Sequence, residues 1–259
     1  MQGIISWLQN HPVTRAIEGF GRVMVFAGQV FWLALRPPYR INLLISQMYF
    51  VGIGSLFIIL LTGIFSGAVF ALQSSVAFAM VGAEGLVGSS VAVSLCREIA
   101  PVFGGLLVTG RVGSAMATEL GTMRVTEQID ALETIAVNPI QYLIVPRVLA
   151  SLIMLPVLTL MFDFVGMIGS YLVGVVFLEI DQGIFLQKIW WYLDPEDIYS
   201  GLIKAAVFGF ALSLLGCYKG YNAGGGARGV GMAATQSVVA SSVTILIMDY
   251  FLTLIMLEN

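Results

Sequence analysis

Arg97 and Glu98 stand side by side in the apolar run SLCREIAP, and Lys204 stands in another, GLIKAAVFGF. An unpaired ionised side chain inside a membrane helix costs about 2.5–3.5 kcal/mol on insertion scales, so such groups pair and mark functional paths. Glu98 can pair with Arg97 or with Lys204. Two roles are open to such a cluster: a structural ion pair that orients two helices, or a polar wall of a substrate cavity. Asp163 and Asp249 are the other acids in apolar runs, and the partner of Asp163 is not legible. Bond-making chemistry has no support. His11 is the sole histidine, which excludes a His-rich metal site, and no HExxH, GxSxG or GxxxxGK[ST] occurs. A zinc protease, a typical esterase and a self-contained ATPase are therefore not encoded. No catalytic residue, no metal ligand and no bound cofactor is expected. Cys96 and Cys217 lie in apolar runs and read as small buried hydrophobes.

The elements that must position these charges follow from composition. Apolar residues make up 58% of the 259 residues, charged residues 10%, and mean hydropathy is +0.94. Soluble domains carry about a quarter charged residues, so the chain reads as an all-α, polytopic membrane protein. Net charge is −3 with no basic tract, which argues against nucleic acid as a partner. Residues 1–10 lack a basic stretch followed by an apolar core and a cleavage site, so no cleavable signal is expected.

Residues 4–35 place Arg15, Glu18, Arg22 and Gln29 at helical spacing and end at Arg36-Pro37-Pro38. That pattern predicts an amphipathic helix in the membrane interface, with a spanning helix as the weaker alternative. Five spans are predicted at 43–72, 86–120, 145–178, 201–216 and 233–257, within a single domain. Pro101 removes the donor for the Arg97 carbonyl and predicts a kink beside the charges. Pro146 and Pro156 predict a broken or kinked third span. Small residues recur every fourth position at Gly63, Gly67, Ala71 and Ser75, at Gly166, Ser170 and Gly174, and at Gly201, Ala205, Gly209 and Ser213. Such ladders allow close helix contacts, within the chain or between copies. Residues 179–199 read as an acidic loop, and 219–231 as a Gly-rich basic loop.

Beyond the first span, Phe70, Gln73, Ser74, Ala77, Phe78 and Val81 fall at i, i+3, i+4, i+7, i+8 and i+11, one helical face. That face packs against neighbours or lines an apolar ligand cavity. Residues 126–136 form a separate short helix with an acidic stripe, Glu127, Asp130 and Glu133, and an apolar one, Ile129, Leu132 and Ala136. It is a solvated surface helix or a docking element for a partner. Arg15, Arg22, Arg36, Arg40, Arg124, Lys219 and Arg228 share one side if the first helix is cytoplasmic, while Lys188 faces an excess of acids on the other. The positive-inside rule then puts the N-terminus in the cytoplasm and the C-terminus outside. Arg97, about 15 Å from the outer end of its span at 1.5 Å per residue, and Lys204 both lie in the outer half.

The stretch SLCREIAPVFGGLLVTGRVGSAMATELGTMRVTEQIDALETIAVNP resembles the signature region of the MlaE (YrbE) permease family. So do TGIFSGAVFALQ, LIVPR at Leu143 to Arg147, and GLIKAAVFGF; the likeness covers essentially the whole chain, with the largest departure across residues 74–88. The resemblance implies the membrane subunit of an ABC transporter that moves phospholipid between the inner and outer membranes of Gram-negative bacteria and maintains outer-membrane lipid asymmetry. It implies a homodimer in the inner membrane, C-terminus periplasmic, with an MlaF-like ATPase that uses ATP and Mg, an MlaB-like STAS-domain protein and a hexameric MlaD-like MCE protein. The REIAP match (Arg97, Glu98, Ile99) and Lys204 then take cavity positions, the polar ones being Arg97, Glu98 and Lys204. The VTEQIDALET match takes those of the coupling helix: Glu127, Gln128, Asp130, Leu132 and Glu133. A chain without nucleotide-binding residues needs its ATPase from elsewhere, which agrees. Two other classes compete: a proton-driven carrier using Glu98 or Asp163, which needs no structured docking helix, and a lipid-modifying enzyme, which needs a nucleophile and base that are missing.

Overall fold

In a bilayer the backbone has no water to bond with, so a chain of Leu, Ile, Val and Phe runs must satisfy its N–H and C=O groups internally. The computed structural model describes residues 12–257, and among them the regular elements are all helical. They are α1 (Pro12–Ala34), α2 (Ile41–Ala79), α3 (Glu84–Val125), α4 (Gln128–Thr134), α5 (Ile140–Phe177), α6 (Gln182–Tyr192), α7 (Pro195–Tyr221) and α8 (Gly226–Leu257). Helices α2, α3, α5, α7 and α8 are each long and apolar enough to cross a membrane, and the protein is a multi-pass membrane protein.

Every spanning helix is longer than its apolar run. The polar residues that end the run mark where the helix leaves the apolar layer; the backbone keeps its hydrogen bonds beyond them. The basic loop expected at 219–231 thus shrinks to residues 222–225, with α7 and α8 taking the rest. The acidic loop expected at 179–199 contains α6, started by the Asp181 carboxylate accepting from the Ile184 N–H at 2.8 Å. Phe185 of α6 is buried where Gly88 and Gly174 leave room, with its ring edge-on to Tyr171 at 6.1 Å. Pro156 lies inside an unbroken α5, so the expected break there is absent. Helix α4 is seven residues long rather than the expected eleven, because Glu127 and Ala136 take left-handed φ angles of 59° and 58° that close it at both ends. The part of the predicted first helix before Pro12, with His11, lies outside the described residues.

Packing is set by the small-residue ladders. Helices α2 and α5 make the most extensive contact in the bundle. A β-carbon on Gly67 would overlap the Gly166 carbonyl, and one on Gly169 that of Ile64. Helix α7 lies as closely on its neighbours, with Gly201 over the Cys96 carbonyl, Gly209 over that of Ser151 and Gly220 over that of Ala117. Without a hydrophobic drive between helices in lipid, this close backbone approach supplies the van der Waals attraction that holds them. Helix α1 packs Phe26 against Tyr218 and Tyr221 of α7, at 5.4 and 6.1 Å, and leaves Phe20, Val25, Phe31 and Trp32 exposed.

The helix order carries Arg36, Arg40, Arg124, Lys219 and Arg228 to one end of the bundle, and Glu84, Glu179, Asp181, Asp194 and Glu196 to the other. Substituting Gly67 by Val is expected to lower stability by about 1–3 kcal/mol, as overpacking does. Gly231→Ala, where a β-carbon meets nothing within 4 Å, is expected to leave it unchanged or slightly raised. Thermal unfolding in detergent compares the two.

Candidate functional site

Pro101 has no N–H to give the Arg97 carbonyl four residues back, and its ring crowds that carbonyl. Helix α3 answers with one π-turn over Leu95–Ile99, closed by the Ala100 N–H on the Leu95 carbonyl. The orphaned Arg97 carbonyl is taken by another helix: the Lys204 ammonium on α7 donates to it at 3.1 Å. The same ammonium lies 2.7 Å from Glu98 Oε2, donates to Thr253 Oγ1 at 2.7 Å and lies 3.4 Å from Asp249 Oδ1. Thr253 Oγ1 in turn stands 3.1 Å from Glu98 Oε1 as a donor. Lys204 is only 2% exposed, so one buried cation is neutralised by two carboxylates and ties α3, α7 and α8 together.

Of the two partners open to Glu98, the structure selects Lys204. Arg97 turns instead to Asp197 in the first turn of α7, which is buried and also accepts from the Asp194 N–H at 3.1 Å. Asp197, Gly201 and Lys204 lie at i, i+4 and i+7 on one face of α7 and meet the π-turn as a unit. Gly201 is bare because the Cys96 carbonyl sits where its β-carbon would be.

Three depressions surround this junction. A small polar one, about 80 Å³, brings together Arg97, Glu98 and Lys204 with Glu196, Ser200 and Thr253. An apolar groove of about 570 Å³ between α2 and α3 is lined by Leu61, Phe65, Phe70, Gln73, Ile99 and Phe103, among others. A third places Phe78 beside Arg97, Tyr192 and Asp197. The predicted face therefore divides. Phe70 and Gln73 share the groove with Ile99, and Phe78 lies elsewhere. Ser74 is turned inward, on the buried side that runs through Gly63, Gly67 and Ala71. Ala77 and Val81 are exposed and line none of the three, Val81 lying past the end of α2. A face drawn for a straight helix includes Ser74; packing against α5 takes it away.

Sequence reasoning missed Asp197, Thr253 and Asp249 as members of the cluster. The signal for Asp197 is DPED, a helix start with Pro at the first turn followed by acids. Thr253 follows Asp249 by four residues, one turn of the same helix. Asp163 on α5 is buried beside Cys96. Arg147, left out of the basic set, is buried and paired with Glu119 at 2.9 Å.

At the basic end, α4 leaves α3 through the turn at Thr126. Ile129 is buried, Leu132 half-buried, and Glu127, Gln128 and Glu133 are exposed. Asp130 is exposed but engaged by Arg124 at 2.7 Å, and Arg124 also lies over the Tyr221 ring at 5.6 Å. The short helix is thereby fastened to the ends of α3 and α7.

Five apolar helices, three of them tied by a buried charge cluster, with a polar helix fastened at one end, define a multi-pass membrane protein. The chain matches the permease MlaE family over residues 44–255, and it belongs to that family. A probable ABC transporter permease protein of Rickettsia prowazekii is 48% identical over 249 residues, 96% of each chain. The intermembrane phospholipid transport system permease protein MlaE of Haemophilus influenzae is 39% identical over 93% of this chain and 95% of its own. The chloroplastic protein trigalactosyldiacylglycerol 1 of Arabidopsis thaliana is 40% identical over 96% of this chain and 70% of its own.

Removing one partner of a buried ion pair costs about 3–5 kcal/mol, because the other charge is left uncompensated. Lys204→Met is therefore expected to lower stability by that order, and adding Glu98→Gln and Asp249→Asn to recover most of it. Thermal unfolding of the single and triple variants checks the expectation; a triple variant no more stable than the single one contradicts it.

Proposed function

We propose that this chain is the permease subunit of an ABC transporter that moves phospholipid between the inner and outer membranes. Two copies enclose the lipid, and a partner ATPase hydrolyses ATP with Mg. The observation that carries the reading is the continuity of α3: one helix holds the Leu95–Ile99 π-turn toward one end and leads into α4 at the other. The basic end, with Arg36, Arg40, Arg124, Lys219 and Arg228, is cytoplasmic by the positive-inside rule. The N-terminus is then cytoplasmic and the C-terminus periplasmic.

In this reading α1 lies in the membrane interface with its exposed Phe20, Phe31 and Trp32 toward lipid. The apolar groove beside Phe70, Gln73 and Ile99 takes acyl chain, and the polar depression at Arg97, Glu98 and Lys204 meets the head group. The groove is open on one side, and a second copy closes it. Glu127, Gln128, Leu132 and Glu133 of the α4 region seat on the ATPase, and Asp130 with Arg124 keeps α4 rigid. Closure of the ATPase dimer moves α4, and α3 carries the motion to the π-turn as a rigid-body switch. An MlaB-like STAS protein and a hexameric MlaD-like MCE protein complete the assembly.

Glu133→Arg is expected to leave the permease folded while lipid-stimulated ATP hydrolysis by the purified complex falls several-fold. Normal assembly and normal stimulation would overturn the coupling role. Ser66 also lines the groove; Ser66→Trp, which fills it, is expected to lower the phospholipid that purifies with the complex, and Glu98→Ala to impair transport more than folding. Unchanged lipid content in Ser66→Trp and unchanged transport in well-expressed Glu98→Ala would overturn the cavity assignment.

A further inference from the structure

The corner where α1, α2 and α5 meet holds two arginines that no ion pair uses. Arg36 lies over the Trp32 ring at 4.4 Å and Arg40 over the Tyr142 ring at 4.4 Å. Neither has a carboxylate within 4 Å among the described residues, where Arg97, Arg124, Arg147 and Lys204 each have one. Both guanidiniums border a depression floored by Leu33, Leu44, Val145 and Leu149. Arg40 also borders an adjoining groove of about 480 Å³ with Asn42 and Tyr142. No carboxylate lines either space.

The corner is built, not slack. Between α1 and α2, the Tyr39 hydroxyl donates to the Leu35 carbonyl at 3.0 Å and the Gln141 amide donates to the Arg36 carbonyl at 3.0 Å. The Arg40 carbonyl accepts the N–H groups of Leu43 and Leu44 at 3.0 and 3.1 Å. A guanidinium stacked on an aromatic ring keeps its in-plane N–H donors free, and that planar fork matches a phosphate. Two such forks above an apolar floor, at the level where spanning helices leave the bilayer, fit a phosphate attached to acyl chains.

We propose that the Arg36–Arg40 corner is a binding site for an anionic phospholipid of the leaflet bordering the basic end. It lies at the opposite end of the bundle from the Glu98–Lys204 junction, and it does not rest on the transport reading. The lipid's phosphate sits between the two guanidiniums and Asn42, with its chain against Leu33, Leu44 and Leu149. Basic pockets between membrane helices are a recognised chemistry for anionic head groups, and the bound lipid would pin α1 to α2 and α5.

The test is thermal unfolding of the whole chain in nanodiscs of phosphatidylcholine, with and without phosphatidylglycerol. Wild type is expected to gain in unfolding temperature with phosphatidylglycerol. R36Q/R40Q is expected to lose that gain while melting like wild type in phosphatidylcholine alone; should the double variant not fold, R40Q alone carries the comparison. Ser66→Trp, far from this corner, is expected to keep the gain. An equal gain in R36Q/R40Q, or none in wild type, overturns the proposal. So does loss of the gain on adding millimolar inorganic phosphate, which would mark a site for the free anion.

Discussion

Pro101 cannot donate a backbone hydrogen bond, and a bilayer offers no water to take its place. The Arg97 carbonyl it leaves bare must find a donor on another helix, and the donor is Lys204. A buried ammonium then needs counter-charge, which Glu98 and Asp249 supply from two further directions, with Thr253 between them. One missing N–H thus accounts for a π-turn, a buried lysine and a three-helix junction. The same turn directs Arg97 toward Asp197 and Ile99 toward the apolar groove, so polar and apolar depressions adjoin within three consecutive residues. An amphiphile needs that adjacency, and the permease family supplies the context in which to read it.

A good part of this was legible beforehand. Hydropathy revealed five spans, Pro101 marked where α3 leaves regular α geometry for a π-turn, and the cost of buried charge demanded a partner for Glu98. What could not be read was which of two cations would be that partner, because periodicity assigns a residue to a face but not the face to a neighbour. Arg97 and Lys204 stood equally open; in the fold Arg97 turns to Asp197 and Lys204 takes Glu98. Ser74 shows the converse, sharing a face with Phe70 on paper yet lying buried because Gly67 and Ala71 bring α5 against that side. Helix α6 escaped notice because the acids around it, Asp181, Asp194, Glu196 and Asp197, read as a loop; Phe185 is buried where Gly88 and Gly174 make room, two glycines far away in the chain.

Charge is distributed with the same economy. Four cations are matched by carboxylates: Arg97 with Asp197, Lys204 with Glu98, Arg147 with Glu119, Arg124 with Asp130. Arg111 is matched differently, both terminal nitrogens lying 2.9–3.1 Å from the Phe50 carbonyl, with its guanidinium over Gly54. Against that background, two arginines resting on aromatic rings at an open corner stand out as donors still available.

The glycine ladders have a mechanical meaning beyond packing. Gly67 meets Gly166, Gly169 meets Ile64, Gly201 meets Cys96 and Gly209 meets Ser151, each at backbone distance. Backbones pressed together in this way cannot slide by changing rotamers, since there is no side chain between them to change. Helices α2, α3, α5 and α7 are therefore keyed to one another like teeth. A displacement of one is passed to the rest rather than absorbed. Whatever flexes when this bundle is loaded must lie where the keys are missing. Helix α8 is the least embedded of the spanning helices; none of its glycines meets another helix's backbone, and its buried side is Val230, Ala233, Ser237, Ser241 and Ile245. The keys thus stop at the helix that carries Asp249 and Thr253, the outermost wall of the charged junction.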